Sequence, residues 1–262
     1  MRLRGARVLI LGMGVTGKAV AKALDGEGAV VVTVDRKEPA DHRDLDGVSL
    51  DGFDLAVASP GWSPAGEELG AVEEAGIEVI SEVELAWRLR EPSVPWVLVT
   101  GTNGKTTTVR MAGAMAQAAG MKAAVVGNVG EPVIEASGRR LDLLIVEVSS
   151  FQLHYTSSLE PHASVCLNVA DDHLDWHGGR EGYRADKAKA YERTREACLF
   201  PVDSPTIEEM VRAADVAEGC RAVGLSHWGP QVAQIGVFGG MILDRAFVPG
   251  RQTEAVEVAR LS

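Results

Sequence analysis

The sequence is short of three things. Its 262 residues include only three cysteines, Cys166, Cys198 and Cys220. These are too few and too widely spaced for a disulfide framework or a zinc knuckle, so they read as free thiols of a reducing compartment. No stretch approaches the 18 or so apolar residues of a membrane span. The opening "MRLRGARVLILGMG" starts basic and turns apolar, but its run from Val8 to Leu11 is too short for the core of a signal peptide. Positive charge is scarce as well: 26 Lys and Arg against 37 Asp and Glu give a net charge of -11. That balance excludes a general nucleic-acid or membrane-surface binder, because both partners are polyanions. A cytoplasmic protein with small-molecule partners is expected, and a monomer.

What is present is alternation. Apolar runs of strand length alternate with amphipathic stretches of helix length, the pattern of a parallel α/β sheet. A strand over 6–11, a glycine turn, a helix over 15–26 and a strand over 30–34 form the first unit. Strands near 53–59 and 77–80 and helices over 66–75 and 83–89 follow. "REPSVP" then marks a domain boundary near 91–95, since proline drives the preceding residue out of the helical region. The sequence predicts a Rossmann-like parallel-sheet domain over 1–92 and a P-loop-type α/β domain over 93–262. Strands of the second are expected at 96–100, 123–126, 143–148, 163–167, 197–200 and 221–224, with a helix over 106–119. After residue 230 the short segments "VAQIGVF", "MILDRAF" and "EAVEVA" read as a small β-meander.

The strongest chemical signal is "VTGTNGKTTT". A strand runs into Gly101 and Gly104, and Lys105 with the hydroxyls of Thr106 and Thr107 opens a helix. Small residues let backbone N–H groups point at phosphate oxygens, and the helix N-terminus adds partial positive charge. Lys105 would bridge the outer phosphates, and Thr106 would place its hydroxyl on Mg²⁺. Val99 stands where the strict pattern has its first glycine, so the loop is a variant. "LDLLIVEVSS" buries one acid, Glu147, in an apolar strand, which is costly unless a cation or metal accompanies it. In "NVADDHLDWHG" His173 and His177 stand four apart, which raises a zinc site, but Leu174 occupies the place of the metalloprotease glutamate. A role in the P-loop crevice is the better reading of these residues. By spacing alone, Lys187 and Lys189 in "YRADKAKAY" read as solvated helix lysines.

Near the start, "LILGMGVTGKAV" carries G-x-G-x-x-G at Gly12, Gly14 and Gly17, with Asp35 eighteen residues on. The turn sets a helix N-terminus against an anion, and Asp35 could accept from a ribose or a base. Nothing in it specifies nicotinamide.

"GTNGKTTT", "GNVG", "EVSSFQL", "DDHLDWHG" and "YRADKAKAY", in that order, resemble the Mur ligases, ATP-dependent amide-forming enzymes of peptidoglycan precursor synthesis. "SSFQL" together with "GMGVTG" is most similar to the branch that adds D-glutamate to UDP-N-acetylmuramoyl-L-alanine; tripeptide-forming relatives typically carry histidine where Phe151 stands. The resemblance implies that Gly101, Thr102, Asn103, Gly104, Lys105, Thr106 and Thr107 bind ATP. It implies that Thr106, Glu147, His173 and Lys187, the last as a CO₂-derived carbamate, support two Mg²⁺ ions. It assigns Gly14, Val15, Thr16, Asp35, Arg36, Ser59, Gly61, Asn128, Ser149, Gln152 and His173 to the UDP-linked substrate. The family's third, amino-acid-binding domain and its G-x-H-N segment have no counterpart before Ser262, so this chain is expected to bind substrate without ligating. Competing readings are another member of the family, a P-loop phosphotransferase, or a nicotinamide-binding protein carrying a P-loop.

Overall fold

The computed structural model describes residues 3–261. The chain opens with β1 (Arg7–Leu11), α1 (Val15–Gly26), β2 (Val30–Val34), β3 (Leu55–Ala58), α2 (Glu67–Glu74), β4 (Val79–Ile80) and α3 (Glu82–Leu89). Its four strands form one parallel sheet in the order β2-β1-β3-β4. β1 and β3 are apolar and buried almost throughout, as strands covered on both faces must be.

A second sheet follows. Its elements are β5 (Trp96–Thr100), α4 (Lys105–Ala118), β6 (Ala123–Gly127), α5 (Val133–Ala136), β7 (Leu143–Glu147), α6 (Ser150–His154), β8 (Ala163–Cys166) and α7 (Arg180–Ala188). Then come β9 (Ala197–Pro201), α8 (Pro205–Ala213), β10 (Arg221–Ser226), β11 (Gln234–Phe238), β12 (Met241–Asp244) and β13 (Val256–Arg260). The sheet order is β13-β12-β11-β10-β9-β8-β5-β7-β6. β5 lies between β7 and β8, parallel to both, so the chain reverses its direction of build there and leaves a crevice at the carboxyl ends of these strands. The meander is present over β11–β13, but β10 and β11 pair in parallel, so it extends the large sheet rather than standing apart.

The two sheets share a core. One buried cluster runs from Val8, Ile10 and Val20 through Val83, Leu85 and Trp87 to Trp96, Val133, Ile134 and Val146. Polar groups are satisfied across the same junction. Glu82 accepts from the Ile134 N–H at 2.7 Å, and Glu84 accepts from the Ser157 and Ser158 N–H groups at 2.9 and 3.0 Å. The proline-containing stretch at 91–95 thus joins elements that already pack against each other.

Candidate functional site

β5 delivers the chain into the loop 101–104 at the open end of the large sheet. Gly101 adopts φ +148, and a Cβ there would sit 3.1 Å from that of Leu167. Gly104 caps α4 at φ +83, a left-handed conformation that suits glycine. The first N–H groups of α4 have no intrahelical acceptor. Lys105 arches back, its Nζ donating to the carbonyls of Gly101 (2.8 Å) and Thr102 (3.0 Å). Asn168, which sequence reasoning did not single out, braces the loop. Its Oδ1 accepts from the Asn103 N–H (2.8 Å), its Nδ2 donates to the Asn103 carbonyl (3.0 Å), and its own carbonyl accepts from the Thr102 N–H (3.0 Å). The signal was available: a lone amide two residues past the apolar strand β8. Tyr183 adds a hydroxyl contact to Thr102 at 3.0 Å.

The acid predicted to complete this loop is beside it. Val99 pairs with Glu147 in register, and Glu147 is 1% exposed. The Thr106 hydroxyl donates to its carboxylate at 2.9 Å and the Asn128 side-chain amide at 3.2 Å. Both partners are neutral, so the salt bridge that would have made this acid purely structural is not among them. Asn128 is held close because the preceding Gly127 lies against β7, where a Cβ would come within 2.2 Å of the Glu147 carbonyl. A buried carboxylate with neutral donors, next to a helix-opening hydroxyl, is a donor set suited to a hard cation.

Lys187 is not the surface lysine that spacing suggests. It is 1% exposed on α7, with its ammonium 4.7 Å from the centre of the Tyr183 ring. Burial pushes it down to about 8, the Lys105 charge acts in the same direction, and Cys166 and Asp172 oppose. A lysine held this way is partly an uncharged amine near neutrality, the form that reacts with CO₂. Burial also pushes the Cys166 thiol up to about 11, so it is unreactive. Lys189 is half-buried and reaches Asp186 at 3.2 Å.

His173 takes a left-handed backbone (φ 49). Its Nε2 is 3.4 Å from Asp172, and its ring lies 4.9 Å from that of Phe151. His177 does not join it in a zinc site. It turns instead, with His154, onto Asp186: the two Nδ1 atoms lie 2.7 and 2.8 Å from the same carboxylate oxygen. Burial pulls the His177 ring below its ordinary value, against the pull of Asp186. Ser149 and Gln152 form a reciprocal cap on α6: the Gln152 N–H donates to Ser149 Oγ at 3.2 Å, and the Ser149 N–H donates to Gln152 Oε1 at 3.0 Å. Much of their polar capacity is therefore used in orienting the turn after Glu147.

On the smaller sheet, Gly14, Val15, Thr16, Asp35, Arg36, Ser59 and Gly61 all line one cleft of about 530 Å³. The glycine turn is sterically required, since a Cβ on Gly17 would approach the Gly12 carbonyl to 1.9 Å. α1 follows Gly14 at its N-cap with no side-chain cap and no acid in its first turn, leaving its positive end free for an anion. Asp35 is more occupied than the sequence suggests. It accepts from the N–H groups of Met13 (2.6 Å), Lys37 (2.7 Å) and Glu38 (2.8 Å). These bonds, the Glu38 one foremost, hold its carboxyl below the ordinary range. It is first a brace for the glycine loop. Trp62 and Glu68, which sequence reasoning missed, are also part of the wall; Arg36 pairs with Glu68 and stands 5.5 Å over the Trp62 ring.

Among known proteins, the Mur ligase middle domain profile matches residues 99–232. UDP-N-acetylmuramoylalanine–D-glutamate ligase of Streptomyces avermitilis is 46% identical over 99% of this chain and 59% of its own length. That of Streptomyces coelicolor is 44% identical over 98% and 59%. The chain thus spans about three-fifths of the length of these relatives. In structure it is similar to the UDP-N-acetylmuramate:L-alanyl-gamma-D-glutamyl-meso-diaminopimelate ligase from Neisseria meningitides, with a TM-score of 0.56 over 91% of this chain and 83% of that one. At 14% identity that likeness concerns the fold alone. Among the described residues no helix is long and apolar enough to cross a membrane.

Proposed function

This chain belongs to the Mur ligase family, and from that premise we propose that it is the UDP-substrate- and ATP-binding portion of a cytoplasmic ligase that adds D-glutamate to UDP-N-acetylmuramoyl-L-alanine. The observation that carries this reading is the buried Glu147 carboxylate, held by neutral donors from the phosphate loop (Thr106) and the β6 loop (Asn128). The names of the 46% and 44% identical relatives support the choice of acceptor and amino acid.

In this reading residues 101–107 hold ATP. Loop N–H groups and Lys105 take the β- and γ-phosphates, Lys105 exchanging its present carbonyl partners for phosphate oxygens. The carboxylate of the UDP-linked substrate attacks the γ-phosphorus; the bond to the bridging oxygen breaks, and ADP leaves with that electron pair. The neutral amine of D-glutamate then adds to the acyl carbon, its nitrogen gives up a proton to solvent, and the tetrahedral intermediate expels phosphate with the C–O bonding pair. The developing charge is anionic throughout, so donors fixed in place matter more than a protein nucleophile. Magnesium, when bound, neutralises phosphate charge, and Thr106, Glu147, His173 and the Lys187 carbamate would hold it. The carbamate forms when the neutral Lys187 amine attacks CO₂: a C–N bond forms, a C=O electron pair moves to oxygen, and the nitrogen then loses one of its two protons to water. The cleft at Gly14, Thr16 and Arg36 holds the UDP diphosphate on the α1 N-terminus.

Thermal shift separates this reading from its rivals. A ligand binding only the folded chain adds about 2.7 kcal/mol at a hundred times its Kd. UDP-N-acetylmuramoyl-L-alanine and ATP–Mg²⁺ are each expected to raise the melting temperature, NADH to leave it unchanged, and Lys105→Ala to remove only the ATP response. A response to NADH with none to the UDP compound overturns the proposal.

A further inference from the structure

Three residues in the proposed metal site come from separate segments, and one carboxylate that is not among them ties those segments together. Asp186 precedes Lys187 on α7 and is itself buried, at 5% exposure. One of its oxygens binds His154 Nδ1 at 2.8 Å and His177 Nδ1 at 2.7 Å. The other faces the Lys189 ammonium at 3.2 Å, and Lys189 also donates to the His154 carbonyl. His154 closes α6, the helix that starts three residues after Glu147. His177 sits one turn from His173, with its N–H donating to the His173 carbonyl at 3.3 Å. Phe151 of α6 seals the arrangement, stacked on His177 at 5.3 Å and 4.9 Å from His173.

We propose that Asp186 is a positioning residue: a single buried carboxylate fixes the relative placement of the segments that carry Glu147, His173 and Lys187. The inference rests on the metal-site reading above. The physical basis is that charge-assisted hydrogen bonds to one oxygen are short and directional, so each segment is held to the same point rather than to a flexible neighbour. Residues that hold a site's functional groups at their productive spacing control occupancy without touching the ligand. The His154–His177–Asp186 group is not itself read as a metal site, because the Lys189 ammonium already supplies its cation.

The test uses the whole chain in ¹³C-bicarbonate with Mg²⁺, reading the Lys187 carbamate by carbon NMR, with Lys187→Arg as the blank. Asp186→Asn and Asp186→Ala are expected to lower carbamate occupancy at least tenfold at fixed bicarbonate, and Asp186→Glu to restore part of it, while near-ultraviolet circular dichroism stays native. His154→Gln, on the more exposed side of the hub, gives an intermediate loss and serves if Asp186→Ala does not fold. Wild-type occupancy in folded Asp186→Asn and His154→Gln overturns the positioning role alone. No carbamate in the wild-type chain overturns the metal-site reading and this inference with it.

Discussion

At the scale of single residues, Lys187 shows how far burial can move a side chain from its usual behaviour. In the unfolded chain its ammonium keeps the ordinary value of 10.5; in the fold, burial brings it to about 8. Between those values the unfolded state binds one more proton, so stability rises with pH across that window and is level on either side. Below pH 8 the folded chain carries the full penalty of a desolvated cation. Lys187→Met keeps the volume and removes the charge. In CO₂-free buffer at pH 7 it is expected to raise unfolding free energy by up to about 3 kcal/mol, with the gain fading above pH 8. Equal urea midpoints for the two proteins at pH 7 would show that the ammonium is not penalised. The residue itself was legible only through the resemblance of "YRADKAKAY". Spacing placed it on a helix but could not say which side of that helix faces the sheet.

At the scale of elements, α3 carries two buried glutamates with opposite fates. Burial raises Glu84 too, but hydrogen bonds from Ser158, Ser157 and Arg88 outweigh it and hold it below the ordinary range. Glu82 has chiefly the Ile134 N–H, and burial pushes it up to about 7. The folded chain therefore keeps a proton on Glu82 that the unfolded chain releases near 4.5, and stability falls as pH rises from about 4.5 to 7. Glu82→Gln retains the acceptor for Ile134 without the charge. It is expected to stabilise the protein by about 2–3 kcal/mol at pH 8 and to lose that advantage by pH 4.5, as followed by chemical denaturation. An advantage independent of pH would assign the effect to packing. The long apolar strands and α1, α3 and α4 were readable because their periodicity runs over whole elements. α5 and α6, four and five residues long, were not. They are too short to show a period, and tertiary contacts rather than propensity hold them.

At the scale of the molecule, the sequence marks a boundary at "REPSVP", yet one apolar cluster crosses it. Trp87 and Trp96 meet edge to face at 5.2 Å on either side of that stretch. Separate unfolding of the smaller sheet with α3 would expose this cluster and leave the Ile134, Ser157 and Ser158 N–H groups without their Glu82 and Glu84 acceptors. Urea unfolding is accordingly expected as a single transition, with tryptophan fluorescence and far-ultraviolet circular dichroism coincident. Two resolved transitions would show that the sheets are independent units joined by a hinge.

The sequence by itself determined the alternating α/β pattern, the two glycine loops and the acid in β7, since each is written in local order: a strand, a turn that tolerates only small residues, a helix start. It also carried the motif series that the family match bears out. Tertiary structure alone decided that β5 lies between β7 and β8, which brings Glu147 to Thr106 and Asn168 to Asn103 across gaps of 41 and 65 residues. It also decided that Asp35 braces its own loop and that His177 turns to Asp186 rather than to His173. Those outcomes depend on which faces are buried and on which donors lie nearest once they are. A one-dimensional pattern fixes neither.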